Sequence, residues 1–92
     1  MSRELVVSGH DALKVAETLN STTLKILQLI SNEHLNISTI AEKLDMSEAY
    51  ISEQIRALEE LKLINVNYSR GRKGIQKMCG LAVDEIRLVI KS

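Results

Sequence analysis

Five consecutive residues, Arg70-Gly71-Arg72-Lys73-Gly74, gather three cations at a glycine-flanked tip. Guanidinium and ammonium groups held there suit phosphate oxygens, and arginine also suits the negative potential of a minor groove. A second set lies upstream. On a helical wheel of about 100° per residue, Ala49, Tyr50, Glu53, Arg56 and Glu60 fall on the polar side opposite a stripe of Ile51, Ile55 and Leu58, with Ser52 at the edge and Ser47 at the start of the segment; Ser47, Ala49, Tyr50, Ser52, Glu53 and Arg56 are the residues expected to face a ligand. A helix presenting that polar side fits a major groove about 12 Å wide. There Arg56 suits guanine or a phosphate, and Glu53 accepts from a cytosine amino group. Ser47 and Ser52 suit phosphate oxygens, as does the helix N-terminus itself. Tyr50 has two places open to it, in the groove or against a neighbouring helix, with the groove favoured.

Other chemistries find less support. His10 and His34 lie far apart without ligand-rich neighbours, so surface or capping roles are expected of them rather than metal binding. Cys79 is the single cysteine, which excludes an intramolecular disulfide, and it sits in an apolar run as a small core residue would. Ser8-Gly9-His10-Asp11 contains the residue types of a catalytic triad, but chain neighbours in one loop cannot adopt its geometry. Gly71 and Gly74 lack the strand–loop–helix setting of a phosphate-cradling loop and suit a hairpin tip instead. No nucleophile–base pair emerges, so an enzyme is not expected, nor is a cofactor.

The elements that must position these groups are legible in outline. The chain has 92 residues, enough for one domain spanning 1–92, and its 2% aromatic content leaves the core to Leu, Ile and Val. A core of this size is modest, and dimerisation is a common source of added stability. Net charge is +0, unlike a general DNA coater. The distribution is uneven. Residues 68–77 hold Arg70, Arg72, Lys73 and Lys77 with no acid, whereas 47–62 hold Glu48, Glu53, Glu59 and Glu60 against Arg56 and Lys62. No apolar run approaches the ~18 residues of a membrane span, and the first twenty residues lack a signal-peptide layout, so a cytoplasmic location without membrane partners is expected.

Leu5-Val6-Val7 predicts a short strand, and 11–19 a helix through the period of its apolar positions Ala12, Val15, Ala16 and Leu19. Asn20-Ser21-Thr22 offers caps to a second helix carrying Leu24, Leu27 and Ile30. Ser38 is the expected cap of a third, with Ile40, Ala41 and Leu44 inward. Asp45 suits the left-handed backbone of a tight turn. Ser47 caps the fourth helix, with Met46 and Ile51 placed as a hydrophobic staple. Residues 63–68 and 75–81 predict two strands joined by a turn at 69–74. Residues 83–91 fit a strand through Ile86, Leu88 and Ile90 or a helix through Ala82, Ile86 and Val89. Their β-branched content favours a strand beside residues 4–7.

The run from Leu44-Asp45-Met46-Ser47-Glu48-Ala49-Tyr50-Ile51-Ser52-Glu53-Gln54-Ile55 to Leu58-Glu59-Glu60-Leu61-Lys62-Leu63-Ile64, with Thr22 to Ile30 before it, resembles the helix-turn-helix of ArsR-like winged-helix repressors. The resemblance covers roughly residues 11–78. It implies an α+β winged helix-turn-helix fold: four helices and a small antiparallel β-wing, here with short N- and C-terminal strands. It also implies a homodimer on a pseudopalindromic operator in double-stranded DNA, with the fourth helix in the major groove and 69–74 as the wing. Metal-sensing members carry paired cysteines on the helix before the turn, and residues 38–44 contain neither Cys nor His. Many members end in a dimerising helix; with a strand expected at 83–91, the helix at 11–19 becomes the candidate dimer surface. Glu48 and Glu53 repel phosphate, which favours weak non-specific binding and selectivity for particular bases. The expectation is a sequence-specific DNA-binding transcription regulator acting by operator occupancy, with repression as the default. The alternative is a winged-helix protein–protein interaction module in a larger assembly.

Overall fold

The structure, a computed structural model, describes residues 3–72 and 74–91. In chain order these form β1 (Glu4–Ser8), α1 (Gly9–Thr18), α2 (Ser21–Leu29), β2 (Leu35–Asn36), α3 (Ile37–Leu44), α4 (Glu48–Glu60), β3 (Ile64–Gly71), β4 (Gly74–Leu81) and β5 (Glu85–Val89). Short polar side chains fix three of the helix starts. Asn20 accepts from the Thr23 amide at 3.0 Å while the Thr23 hydroxyl accepts from the Asn20 amide at 2.8 Å, a reciprocal box that satisfies two otherwise open donors. Ser47 accepts from the Tyr50 amide at 3.1 Å, as expected. The cap of α3 is Asn36 and not Ser38: Asn36 Oδ1 accepts from the Thr39 amide at 2.7 Å. Pairing of β2 with β4 holds Asn36 in the extended conformation a cap requires, so the helix begins before Ser38 is reached.

Helix ends are equally specific. Asp45 takes the left-handed conformation expected of the turn, at φ 55 and ψ 50. Lys62 does the same at φ 62 after α4. Its amide donates to Glu59 O at 2.9 Å and that of Leu63 to Leu58 O at 3.1 Å, closing the last turn and aiming the chain into β3.

One core holds the helices. Ile26, Ile40, Ile51, Ile55, Leu58 and Leu63 are fully buried with Cys79 of β4, and Met46 packs against them. Each such aliphatic burial contributes about 1.5–3 kcal/mol. On α4 the buried set is Ile51, Ile55 and Leu58, one stripe at helical spacing, so the rotation of the helix is set and its polar side is turned outward.

The strands form two sheets. In the first, β2, β4 and β3 lie antiparallel in the order β2-β4-β3. The β3–β4 hairpin pairs from Ile64↔Leu81 to Gly71↔Gly74, so both strands run through most of the segment expected to be turn. Gly74 has φ +104, a backbone that glycine adopts freely. In the second, β1 and β5 pair in parallel from Glu4↔Glu85 to Ser8↔Val89. Residues 85–89 are therefore a strand beside the N-terminal one, as their β-branched content indicated. Asp84 ties the start of this pair: its carboxylate accepts from the Arg3 amide at 2.8 Å and lies 3.4 Å from the Arg3 guanidinium. Hydrogen bonds from Arg3 hold the Asp84 carboxyl below its ordinary range.

Candidate nucleic-acid interface

With Ile51, Ile55 and Leu58 facing inward, Ala49, Glu53, Arg56 and Glu60 form an exposed ridge along the outside of α4. Tyr50 lies to one side of that ridge, 40% exposed. Ser52 lies on the other, half-buried, facing β4 across a groove of about 420 Å³ that also touches Asn36, Ser38, Glu48, Gln76 and Lys77. Ser47 stands exposed at the helix start, its Oγ already accepting from the Tyr50 amide. The six expected residues of α4 and its cap therefore share one outward region, with Ser52 at its wing-side edge.

The hairpin supplies the flank. Arg70 and Arg72 are exposed at its tip, and neither they nor Arg56 form an ion pair among the described residues. Lys73, expected to act with them, lies outside the described residues. Lys77 differs in kind. Its Nζ lies 3.7 Å from Glu59 Oε1, so this cation ties the hairpin to α4. A second tie joins the hairpin to α3, where Asn36 Nδ2 donates to Gln76 Oε1 at 3.3 Å. Both ties link residues distant in the chain, and sequence reasoning missed them for that reason. It also missed Tyr68 and Ile75, 71% and 73% exposed on the hairpin. Large apolar groups so open to water beside Arg70 and Arg72 offer contact to sugars or bases, and the signal for them was an aromatic and an aliphatic within a basic run.

Two further titratable groups sit in or against β4. Burial pushes the Cys79 thiol up, against a lowering from Lys77 and a smaller raising from Glu59. His34 lies over Gly80, where a side-chain Cβ would collide with its ring. Among the described residues no group of three His, Cys, Asp or Glu is placed to hold a metal ion, and no helix is long and apolar enough to cross a membrane.

Comparison with known proteins accords with this geometry. The family described as "Bacterial regulatory protein, arsR family" matches residues 20–66, just over half of the chain. Among solved structures, reduced HlyU from Vibrio cholerae superposes with a TM-score of 0.66 at 18% identity, over 78% of this chain and 73% of that one. A homodimeric winged helix-turn-helix DNA-binding domain, Mb0332 from Mycobacterium bovis, gives 0.67 at 22% identity, over 78% and 64%. The E41A mutant of ZitR from Lactococcus lactis gives 0.58 at 31% identity, over 68% of this chain and 42% of that one. Comparison with curated proteins finds no match.

Proposed function

The chain belongs to the arsR family of bacterial regulatory proteins and is a winged-helix, DNA-binding transcription regulator; from that premise we propose that it is a cytoplasmic, homodimeric, sequence-specific repressor that acts by occupying an operator in double-stranded DNA. Two copies of α4 enter successive major-groove faces about one helical turn apart, and the β3–β4 hairpins flank them as wings. Within each half-site, Arg56 reads guanine or clamps a phosphate and Glu53 accepts from a cytosine amino group. Ala49 and Tyr50 offer apolar contact to base edges. Ser47 and Ser52 hold phosphates with the N-terminus of α4, while Arg70, Arg72 and Lys73 follow the backbone or enter the minor groove. Bound there, the dimer blocks polymerase. The homodimeric state of the Mycobacterium bovis domain supports the dimer.

The observation that carries this reading is the rotation of α4. Burial of Ile51, Ile55 and Leu58 leaves Ala49, Glu53 and Arg56 outward, beside a hairpin whose Arg70 and Arg72 are engaged in no ion pair among the described residues. The test is duplex affinity across a salt series. Each neutralised phosphate contributes a log–log slope of about −0.9, so replacing Arg70, Arg72 and Lys73 by Ala flattens the slope by up to ~2.7. An unchanged slope removes the hairpin from the interface. Absence of duplex affinity at every salt, with a protein retained in pull-downs, replaces this reading with an interaction module.

A further inference from the structure

The sheet of β1 and β5 has only two strands. Two-stranded sheets are marginal alone, and an open edge is a template for another strand. The amide of Glu85 donates to Arg3 O at 3.2 Å, so the backbone groups of residues 85, 87 and 89 face β1. Strand alternation then turns the N–H and C=O groups of residues 86, 88 and 90 away from β1, along the outer edge of β5. Beside this strand lies a groove of about 400 Å³, reaching α2 and lined chiefly by Leu24, Leu27, Leu63, Val83 and Ile86. Ile90 is 97% exposed, and Leu88 and Val89 are also open to water.

We propose that β5 pairs antiparallel with β5 of a second copy across a two-fold axis at Leu88, joining the two small sheets into one of four strands. This rests on the homodimer reading above and names its surface. A two-fold antiparallel pairing centres either on an even-numbered residue, as a hydrogen-bonded pair, or on an odd-numbered one, as a non-hydrogen-bonded pair. Centring on Arg87 or Val89 sets like charges opposite each other, Arg87 against its own mate or against Lys91. Centring on Ile86 would bring in Asp84, whose amide and carboxylate are already engaged by Arg3. Centring on Leu88 pairs Ile86 with Ile90 of the second copy, twice by symmetry, and Leu88 with its own mate. Ile86 lines the groove, so the Ile90 of the second copy is laid on the same face, beside the groove's apolar wall. On the opposite face Lys91 lies across from Glu85 of the second copy, so no like charges are set against each other on either side of the axis. Self-complementary in backbone hydrogen bonding and apolar pairing, and free of like-charge opposition, this edge is suited to its own copy rather than to an unrelated protein.

Sedimentation of the full chain tests the surface. Ile90 is almost wholly exposed, so Ile90→Lys leaves the fold intact, and thermal melting verifies it. The wild type sediments as a dimer, and Ile90→Lys weakens self-association by roughly hundredfold or more, since two isoleucine burials are lost per dimer. Leu13→Lys, on the exposed side of α1 (61% exposed), leaves the dimer in place. Amide exchange supplies the register: Ile86, Leu88 and Ile90 gain protection as protein concentration rises. A dimer that survives Ile90→Lys but is lost with Leu13→Lys overturns this surface and leaves the homodimer standing. A wild type that is monomeric throughout, with and without duplex, overturns both.

Discussion

Replacing Lys62 by glycine should stabilise the protein relative to replacing it by alanine. Lys62 follows α4 with φ 62, and its side chain is exposed and outside every ion pair and side-chain hydrogen bond of the described residues. What holds it left-handed is backbone: its amide to Glu59 O and the Leu63 amide to Leu58 O. An L-residue in that conformation costs about 1–2 kcal/mol, while glycine adds about 0.5–1 kcal/mol of unfolded-state entropy. Lys62→Ala keeps the strain and loses the same charge as Lys62→Gly, so comparing the two isolates the backbone. The expected difference is about 1 kcal/mol in favour of glycine, or roughly 4–8 °C in Tm for a chain this small. Thermal melts followed by circular dichroism, with urea midpoints at constant m-value, measure it. Equal stability, or a glycine variant below alanine, refutes the argument that this turn is strained and that it sets how the hairpin leaves α4.

Three further outcomes are expected. Glu59→Gln releases Lys77, and the salt dependence of duplex binding steepens by up to ~0.9 in log–log slope; a weakened affinity with unchanged slope would instead make the pair a structural tie. The Asp84 carboxyl is held below its ordinary value in the folded state, so its contribution to stability is complete above the unfolded pKa of about 3.9 and disappears as pH falls through the lower folded value. Carbon-13 titration of Asp84 checks that midpoint, and Asp84→Asn removes this part of the acid dependence. Cys79 is buried with a raised pKa, so Ellman's reagent reacts slowly at pH 8 in buffer and rapidly in urea.

Much of the fold was legible where local chemistry and burial agree. The spacing of Ile51, Ile55 and Leu58 gave the rotation of α4, Ser47 its start, and Asp45 the turn before it. The pairing of residues 4–8 with 85–89 followed from β-branched content at both ends. What escaped sequence reasoning depends on neighbours distant in the chain. Two residues make β2 only because β4 lies beside them, and that pairing decides between Asn36 and Ser38 as cap. Lys77 looked like one more free cation of the tip until Glu59 was found across from it. Of the expected site, the outward placement of Ala49, Tyr50, Glu53, Arg56, Arg70 and Arg72 was readable because each lies in an amphipathic or basic pattern. Tyr68 and Ile75 stand within the basic run, but their exposure was not readable, since exposed apolar residues look like core in a bare sequence.

Amide chemical-shift mapping on titration with a selected duplex shows whether the outward side of α4 and the hairpin tip together meet double-stranded DNA. The expected shifts concentrate in residues 47–60 and 68–77, with α1 and α2 unmoved. Saturable binding whose shifts fall on α1 and α2 while α4 stays silent would contradict that contact.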